Sequence, residues 1–283
     1  MPAHAPAAPE TTHTSLNSTT TPENTTKEGT PMITTLSRTR DSEIFWADPR
    51  REPVDVLTSV LDQREMERAM TYRRDADRRR FLTAAWLLRT KVGERLGMAP
   101  EDVEVERSCG DCTRYHGKPY IMNIRTPLHV SISHSADRVA VAVTESGPIG
   151  VDVERIPDVP LEELIRLGLS PAEKEIVLSL PEHMRHAAFT HYWSSKEAVL
   201  KATGHGLRIP PAQVLISHPF QEPPALLAWP LEIPVRNVHL RTLDPGLGYV
   251  GVVAVIADRP TTVTEVDVTE MTRVPSFDLA NAA

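Results

Sequence analysis

Cysteine is scarce in this chain, at two in 283 residues, and no apolar run in it reaches the length of about 18 that reads as a membrane-spanning helix. The N-terminus offers neither a charged n-region nor an apolar h-region, so no secretory signal is expected, and two cysteines without an export signal point to the reducing cytoplasm. Positive charge is in the minority as well. The 31 Lys and Arg face 38 Asp and Glu, a net charge of −7, which argues against a nucleic-acid binder driven by global basicity. Aromatic residues are missing before Phe45, where Thr, Pro, Ala and Ser dominate without helical or strand period. Such a segment buries too little apolar surface to offset its ordering entropy, so residues 1–42 are expected to form a disordered tail, with Met32 as an alternative start. Residues 261–283 read as a second, poorly ordered tail. The remainder is long enough for one large or two small domains.

The stretch from Trp193 to Gly204 is expected to close a helix opened by Pro181. At about 100° per residue, Ala188, Tyr192, Ser195, Val199 and Ala202 share one side, and Glu197 and Lys201 fall outside it. Glu197 and Lys201 are four residues apart in the favourable order, and alone they would be an ordinary surface ion pair worth about 0.3–0.5 kcal/mol. A second element is Gly150-Val151-Asp152-Val153-Glu154. In a strand, Asp152 and Glu154 point to one face and the two valines to the other, which alone is the pattern of a half-buried strand with a wet face. Together with Glu197, however, three carboxylates could converge on one cation. Magnesium takes oxygen ligands of this kind, completed by water and substrate phosphates.

These two stretches, followed by Gly204-His205-Gly206-Leu207 and preceded by Gly117-Lys118-Pro119 and Ser131-Ile132-Ser133-His134-Ser135, resemble the motifs of the 4′-phosphopantetheinyl transferases, in the order of the broad-specificity branch. The likeness runs over residues 61–257. It implies transfer of 4′-phosphopantetheine from coenzyme A to a serine of apo acyl or peptidyl carrier protein domains, of fatty-acid, polyketide or nonribosomal peptide type, by a magnesium-dependent enzyme. It also implies an α+β fold of two similar subdomains in pseudo-twofold arrangement, with the active site in the cleft between them. Carried over residue by residue, it makes Asp152, Glu154 and Glu197 the magnesium ligands. Glu197 becomes the candidate base, directly or through a water, and Lys201 the group that meets the leaving phosphate. Coenzyme contacts are then expected from Arg68, Arg80, Gly117, Lys118, Pro119, Ser133, His134, Lys196 and Lys201.

The rest of the chain fits that outline. Asp62 with Glu65 makes a capping box, as does Ser170 with Glu173. A long helix is expected over 75–96, and seven arginines lie between Arg64 and Arg80 against four acids, a basic cluster suited to the phosphates of coenzyme A. Each half reads as a long helix, then strands, then a valine-rich strand, over 139–143 and again over 250–255, a weak internal repeat. The expected boundary puts residues 43–146 in a first subdomain that binds coenzyme phosphates and 147–260 in a second that carries the metal site. No nucleic-acid or membrane partner is expected, and the protein is expected to be a monomer. Two other readings stay open on the residues alone: another magnesium phosphotransferase or nuclease using the same carboxylates, and a zinc-stabilised binding module built on Cys109 and Cys112 with His116 nearby. Structural zinc commonly needs two cysteine pairs, and the chain has one, so a plain turn carrying two thiols is the simpler account.

Overall fold

Alternation along the central strands explains how the molecule is layered. In the computed structural model, which describes residues 41–268 apart from 110, 111, 113, 114, 233 and 234, the chain order begins with β1 (Asp41–Ala47), α1 (Val54–Thr58), α2 (Gln63–Met70) and α3 (Asp75–Leu96). It continues through β2 (Val105–Ser108), β3 (Tyr115–Ile121), β4 (His129–Ser135), β5 (Arg138–Thr144) and β6 (Ile149–Arg155). Next come α4 (Leu161–Gly168), α5 (Pro171–Ser179) and α6 (Glu182–Thr203). The last elements are β7 (Leu215–Ile216), β8 (Leu226–Ala228), β9 (Val238–Leu243), β10 (Tyr249–Ile256) and β11 (Thr262–Asp267).

One sheet has the order β11-β1-β5-β4 and another the order β6-β10-β9. On β5, Val139, Val141 and Val143 face Leu87, Leu88 and Val92 of α3, while Ala140 and Ala142 face the second sheet. On β6, Ile149, Val151 and Val153 join that same inter-sheet core, together with Val253 and Val255 of β10. The opposite face of β10, with Val250, Val252 and Ala254, packs on α6 through Ala198, Val199 and Ala202. The result is four layers, helix on sheet on sheet on helix, with a core in each gap. Each fully buried valine contributes about 1.5–3 kcal/mol through removal of its surface from water.

The helix ends follow local chemistry. Asp62 and Ser170 form the expected capping boxes at α2 and α5. Pro181 precedes α6, and Gly204, at a φ of 74°, closes it in the left-handed region open to glycine. Gly150 has a different reason: a Cβ there would overlap the Ala198 carbonyl and the Ala202 amide, so its absence lets α6 lie directly on β6. That close approach brings Asp152 and Glu154, on the same face of the strand, against the helix that carries Glu197 and Lys201.

Two expectations change. The N-terminal tail lies outside the described residues except for Asp41 and Ser42, which already belong to β1. The second tail, from residue 261, contains β11, which pairs in parallel with β1 from Asp41↔Thr262 to Trp46↔Asp267. Val266 and Val268 pack on the first core and the Trp46 Nε1–H donates to Glu265 Oε2 at 3.0 Å, contacts made only at long range. Gly117-Lys118-Pro119 forms the middle of β3. Its proline is tolerated because, among the described residues, β3 pairs with β2 alone, as one of two strands.

Candidate active site

The two sheets meet at their edges, β4 and β6, through serine hydroxyls instead of carbonyls. Val151, Val153 and Arg155 donate their backbone N–H groups to Ser131, Ser133 and Ser135 at 3.0, 3.2 and 3.1 Å. Three serines at every second position put three hydroxyls on one face of a strand. Two of these hydroxyls then use their protons on the carboxylates: Ser133 donates to Asp152 Oδ1 at 3.0 Å and Ser135 to Glu154 Oε2 at 2.8 Å. The Lys201 ammonium, arriving from α6, completes the cluster. It lies 2.7 Å from Asp152 Oδ1 and donates also to Ser133 Oγ at 2.9 Å and the Val151 carbonyl at 3.2 Å.

This corrects the helix-surface picture in one respect, since Lys201 turns to Asp152 across the inter-element gap and not to Glu197 one turn away. Asp152 is 2% exposed, and among the described residues neither its Oδ2 nor Glu197 Oε1 has a hydrogen-bond partner. Burial pushes Glu154 up to about 7, helped by the Asp152 and Glu197 charges and opposed by Ser135 and Lys201. Burial also raises Glu197, with Lys201 opposing and Asp152 adding to the rise. Three carboxylates, Asp152 buried and Glu154 and Glu197 half-buried, face one ammonium, so the site is short of positive charge. Those residues fit a hard divalent cation. They do not close into a cage: among the described residues the carboxylates are not drawn within 4.8 Å of one another as a set of three. An open, partial set is what magnesium uses when water and substrate phosphates supply the remaining ligands.

Arg155, the residue after Glu154, reaches a cleft of about 740 Å³ that is lined also by Arg50, Arg79, Arg80 and Arg138 from the first half and by Tyr249 from the second. His134 lies near enough to both Lys201 of the cluster and Arg80 of the cleft to feel their charges. Its ring is exposed to solvent yet recessed among neighbouring atoms, and this crowding lowers its pKa, with the Lys201 and Arg80 cations adding to the effect. Arg80 donates to the Ala136 carbonyl at 3.0 Å and pairs with Asp77, which aims it into the cleft.

Several residues expected at the coenzyme have other employment. Lys196 is completely buried, donating to the Gly168 carbonyl at 2.9 Å and pairing with Glu173 at 2.5 Å, so it fastens α6 to α5. Lys118 donates to the carbonyls of Ile149, Lys201 and Ala202 at 3.0, 2.7 and 3.0 Å. It therefore caps the C-terminal end of α6, where unpaired carbonyls and the helix dipole favour a cation. Burial lowers it to about 8, which still leaves it charged at neutral pH. A Cβ on Gly117 would overlap the Ser108 carbonyl, so this glycine serves the hairpin, and Pro119 is buried beside it. Arg68 donates to the Tyr115 carbonyl at 2.7 Å and lies 4.9 Å over the Phe81 ring, tying α2 to β3. Ser133, 7% exposed and saturated by Val153, Lys201 and Asp152, orients a carboxylate and does not face the cleft. Sequence reasoning passed over Ser131 and Ser135, although their two-residue spacing was the signal. It also passed over Arg50, Arg138 and Arg155, which carry no local signal at all.

Comparison with known proteins points the same way. A model described as 4′-phosphopantetheinyl transferase superfamily matches residues 148–247, and one described as 4′-phosphopantetheinyl transferase, N-terminal, matches residues 45–146. The chain is 32% identical over 183 residues to the 4′-phosphopantetheinyl transferase HetI of Nostoc sp., covering 62% of this chain and 73% of that protein. It is 32% identical over 157 residues to the 4′-phosphopantetheinyl transferase psf-1 of Bacillus pumilus, covering 56% of this chain and 64% of that one. With the 4′-phosphopantetheinyl transferase Sfp of Bacillus subtilis the identity is 26% over 160 residues, 56% of this chain and 67% of that protein. Among the described residues no helix is long and apolar enough to cross a membrane. With acidic residues gathered from both α6 and β6 beside Lys201, and with both halves matched in order, the chain belongs to the 4′-phosphopantetheinyl transferase superfamily.

Proposed function

We propose that this chain transfers 4′-phosphopantetheine from coenzyme A to a serine hydroxyl of an apo acyl or peptidyl carrier protein, leaving holo carrier and adenosine 3′,5′-bisphosphate. The observation that carries this reading is the gathering of Asp152, Glu154 and Glu197 around Lys201, with buried carboxylate oxygens left unpartnered among the described residues, and an arginine-rich cleft reached by Arg155, the residue after Glu154. Phosphoryl transfer asks little covalent work of a protein, so positioning and charge stabilisation dominate.

Arg80 and His134 would hold the 3′-phosphate, with Arg155 in the cleft lining available to the pyrophosphate. Asp152, Glu154 and Glu197 would hold magnesium, which supplies neutralisation of phosphate charge when bound. The carrier serine oxygen bonds to the β-phosphorus, and the bond from that phosphorus to the bridging oxygen of the adenosine bisphosphate breaks. Glu197, raised by burial toward the range useful to a general base, takes the serine proton. Lys201 stabilises the charge that accumulates on the departing phosphate. Both walls of the cleft come from one chain, so the enzyme acts as a monomer. We place the reaction in the cytoplasm, a compartment that suits a chain whose two cysteines are not joined in a disulfide.

The test is to incubate the purified chain with an apo carrier, coenzyme A and magnesium and to weigh the carrier. A mass gain equal to phosphopantetheine, absent when magnesium is withheld, is expected. No gain with acyl or peptidyl carriers overturns the reading.

A further inference from the structure

Away from the carboxylate cleft, the turn of the β2–β3 hairpin draws a second group of ligand-type side chains together. One ligand atom each from Cys109, Cys112 and His116 lies within 4.8 Å of the others, with Cys112 Sγ and His116 Nε2 2.9 Å apart. Cys112 and His116 are exposed, so an ion can reach them, and no disulfide joins the two cysteines. Tetrahedral zinc with bonds of about 2.3 Å to sulfur and about 2.0–2.1 Å to nitrogen sets sulfur atoms roughly 3.8 Å apart and a sulfur and a nitrogen roughly 3.5 Å apart. The Cys112–His116 pair therefore has to open by only about half an ångström. Two thiolates and an imidazole form a soft donor set, unlike the all-oxygen cleft, and select zinc over magnesium. The shortage of a second cysteine pair, which counts against zinc in the sequence, is partly made good by the imidazole at the start of β3.

We propose that Cys109, Cys112 and His116 bind a zinc ion, with the fourth position open to solvent. Binding converts both thiols to thiolates and releases their protons to solvent, and neither the metal nor the sulfur changes oxidation state. The ion pins the turn that leads into Gly117 and Lys118, and Lys118 caps the helix carrying Glu197 and Lys201. Zinc here is thus a structural brace for α6. The proposal stands whether or not the transferase reading holds.

The experiment uses the full chain without a polyhistidine tag, grown with zinc and passed through gel filtration in excess magnesium to clear loosely held metal. Elemental analysis is expected to find about one zinc per chain, falling at least tenfold in Cys112→Ser and His116→Ala. Cobalt(II) added to the metal-free wild-type protein is expected to give a thiolate-to-cobalt charge-transfer band that persists in Asp152→Ala. The cobalt arm needs no hairpin variant, so a folding defect in one leaves the test intact. The proposal is overturned if the wild-type protein neither retains zinc nor gives the cobalt band. It is equally overturned if zinc survives both variants, or if mass analysis without reductant finds Cys109 and Cys112 joined in a disulfide.

Discussion

Glu197 carries two duties in this site, ligand and base, and one substitution separates them. Glu197→Gln keeps the shape and one ligand oxygen but removes the carboxylate that would take the serine proton. Magnesium binding should weaken modestly while turnover falls at least a hundredfold, within the range of general-base contributions. Calorimetric titration with magnesium alongside single-turnover mass analysis makes the separation, and normal turnover with normal magnesium binding would transfer the proton to another group. His134 offers a pH test. Its pKa in the free protein lies below the ordinary value through crowding around the ring and the neighbouring Lys201 and Arg80 cations, which favours the neutral imidazole. A phosphate beside it favours the imidazolium, so the complex binds an extra proton between the two pKa values. Coenzyme affinity should therefore rise as pH falls through the pKa of the complex and level off below the lower pKa of the free protein. Fluorescence titration of the wild-type protein and of His134→Gln checks this, because the variant should lose the part of the slope that belongs to the ring.

At the scale of elements, the site exists because α6 and β6 touch along Gly150 and because three other elements hold α6 in register. Lys196 ties it to α5, the Gly204 turn ends it, and Lys118 reaches from β3 in the first half to its last carbonyls. Replacing Lys118 by Met leaves the Lys201 and Ala202 carbonyls without their donor, at about 1–3 kcal/mol for buried groups of this kind. Thermal unfolding should shift down by several degrees, and turnover should fall more than coenzyme affinity, because Lys201 moves while the arginine cleft does not. If Lys118→Met instead lost coenzyme affinity with unchanged stability, the lysine would be a coenzyme contact after all.

At the scale of the molecule, the cleft is assembled from both halves, with Arg80 and Arg155 both in its lining. A ligand that bridges them stabilises the folded chain by mass action, about 2.7 kcal/mol at a hundred times its dissociation constant. Coenzyme A with magnesium should accordingly raise the melting temperature in scanning calorimetry, and either Arg80→Ala or Arg155→Ala should reduce that rise. A rise unaffected by Arg155→Ala would confine coenzyme to the first half.

The carboxylates and the helix ends were legible in the linear chain because they rest on short periods. Asp152 and Glu154 share a strand face two residues apart, Glu197 and Lys201 share a helix face four residues apart, and Asp62, Ser170 and Gly204 announce their caps locally. The repeated order of helix and valine strand suggested two α+β halves, which the family resemblance also implied. The lysines were different. Lys118, Lys196 and Lys201 look alike in sequence, and each acquired its role from a partner 83, 23 and 49 residues away. A long cation will satisfy whichever buried acceptor the packing leaves nearest, and no local pattern records that choice. Strand β11 makes the same point for the backbone. Its own residues bury too little to order themselves, and it becomes a strand because the edge of β1, on which it docks from the far end of the chain, supplies the hydrogen bonds and the apolar surface that Val266 and Val268 cover.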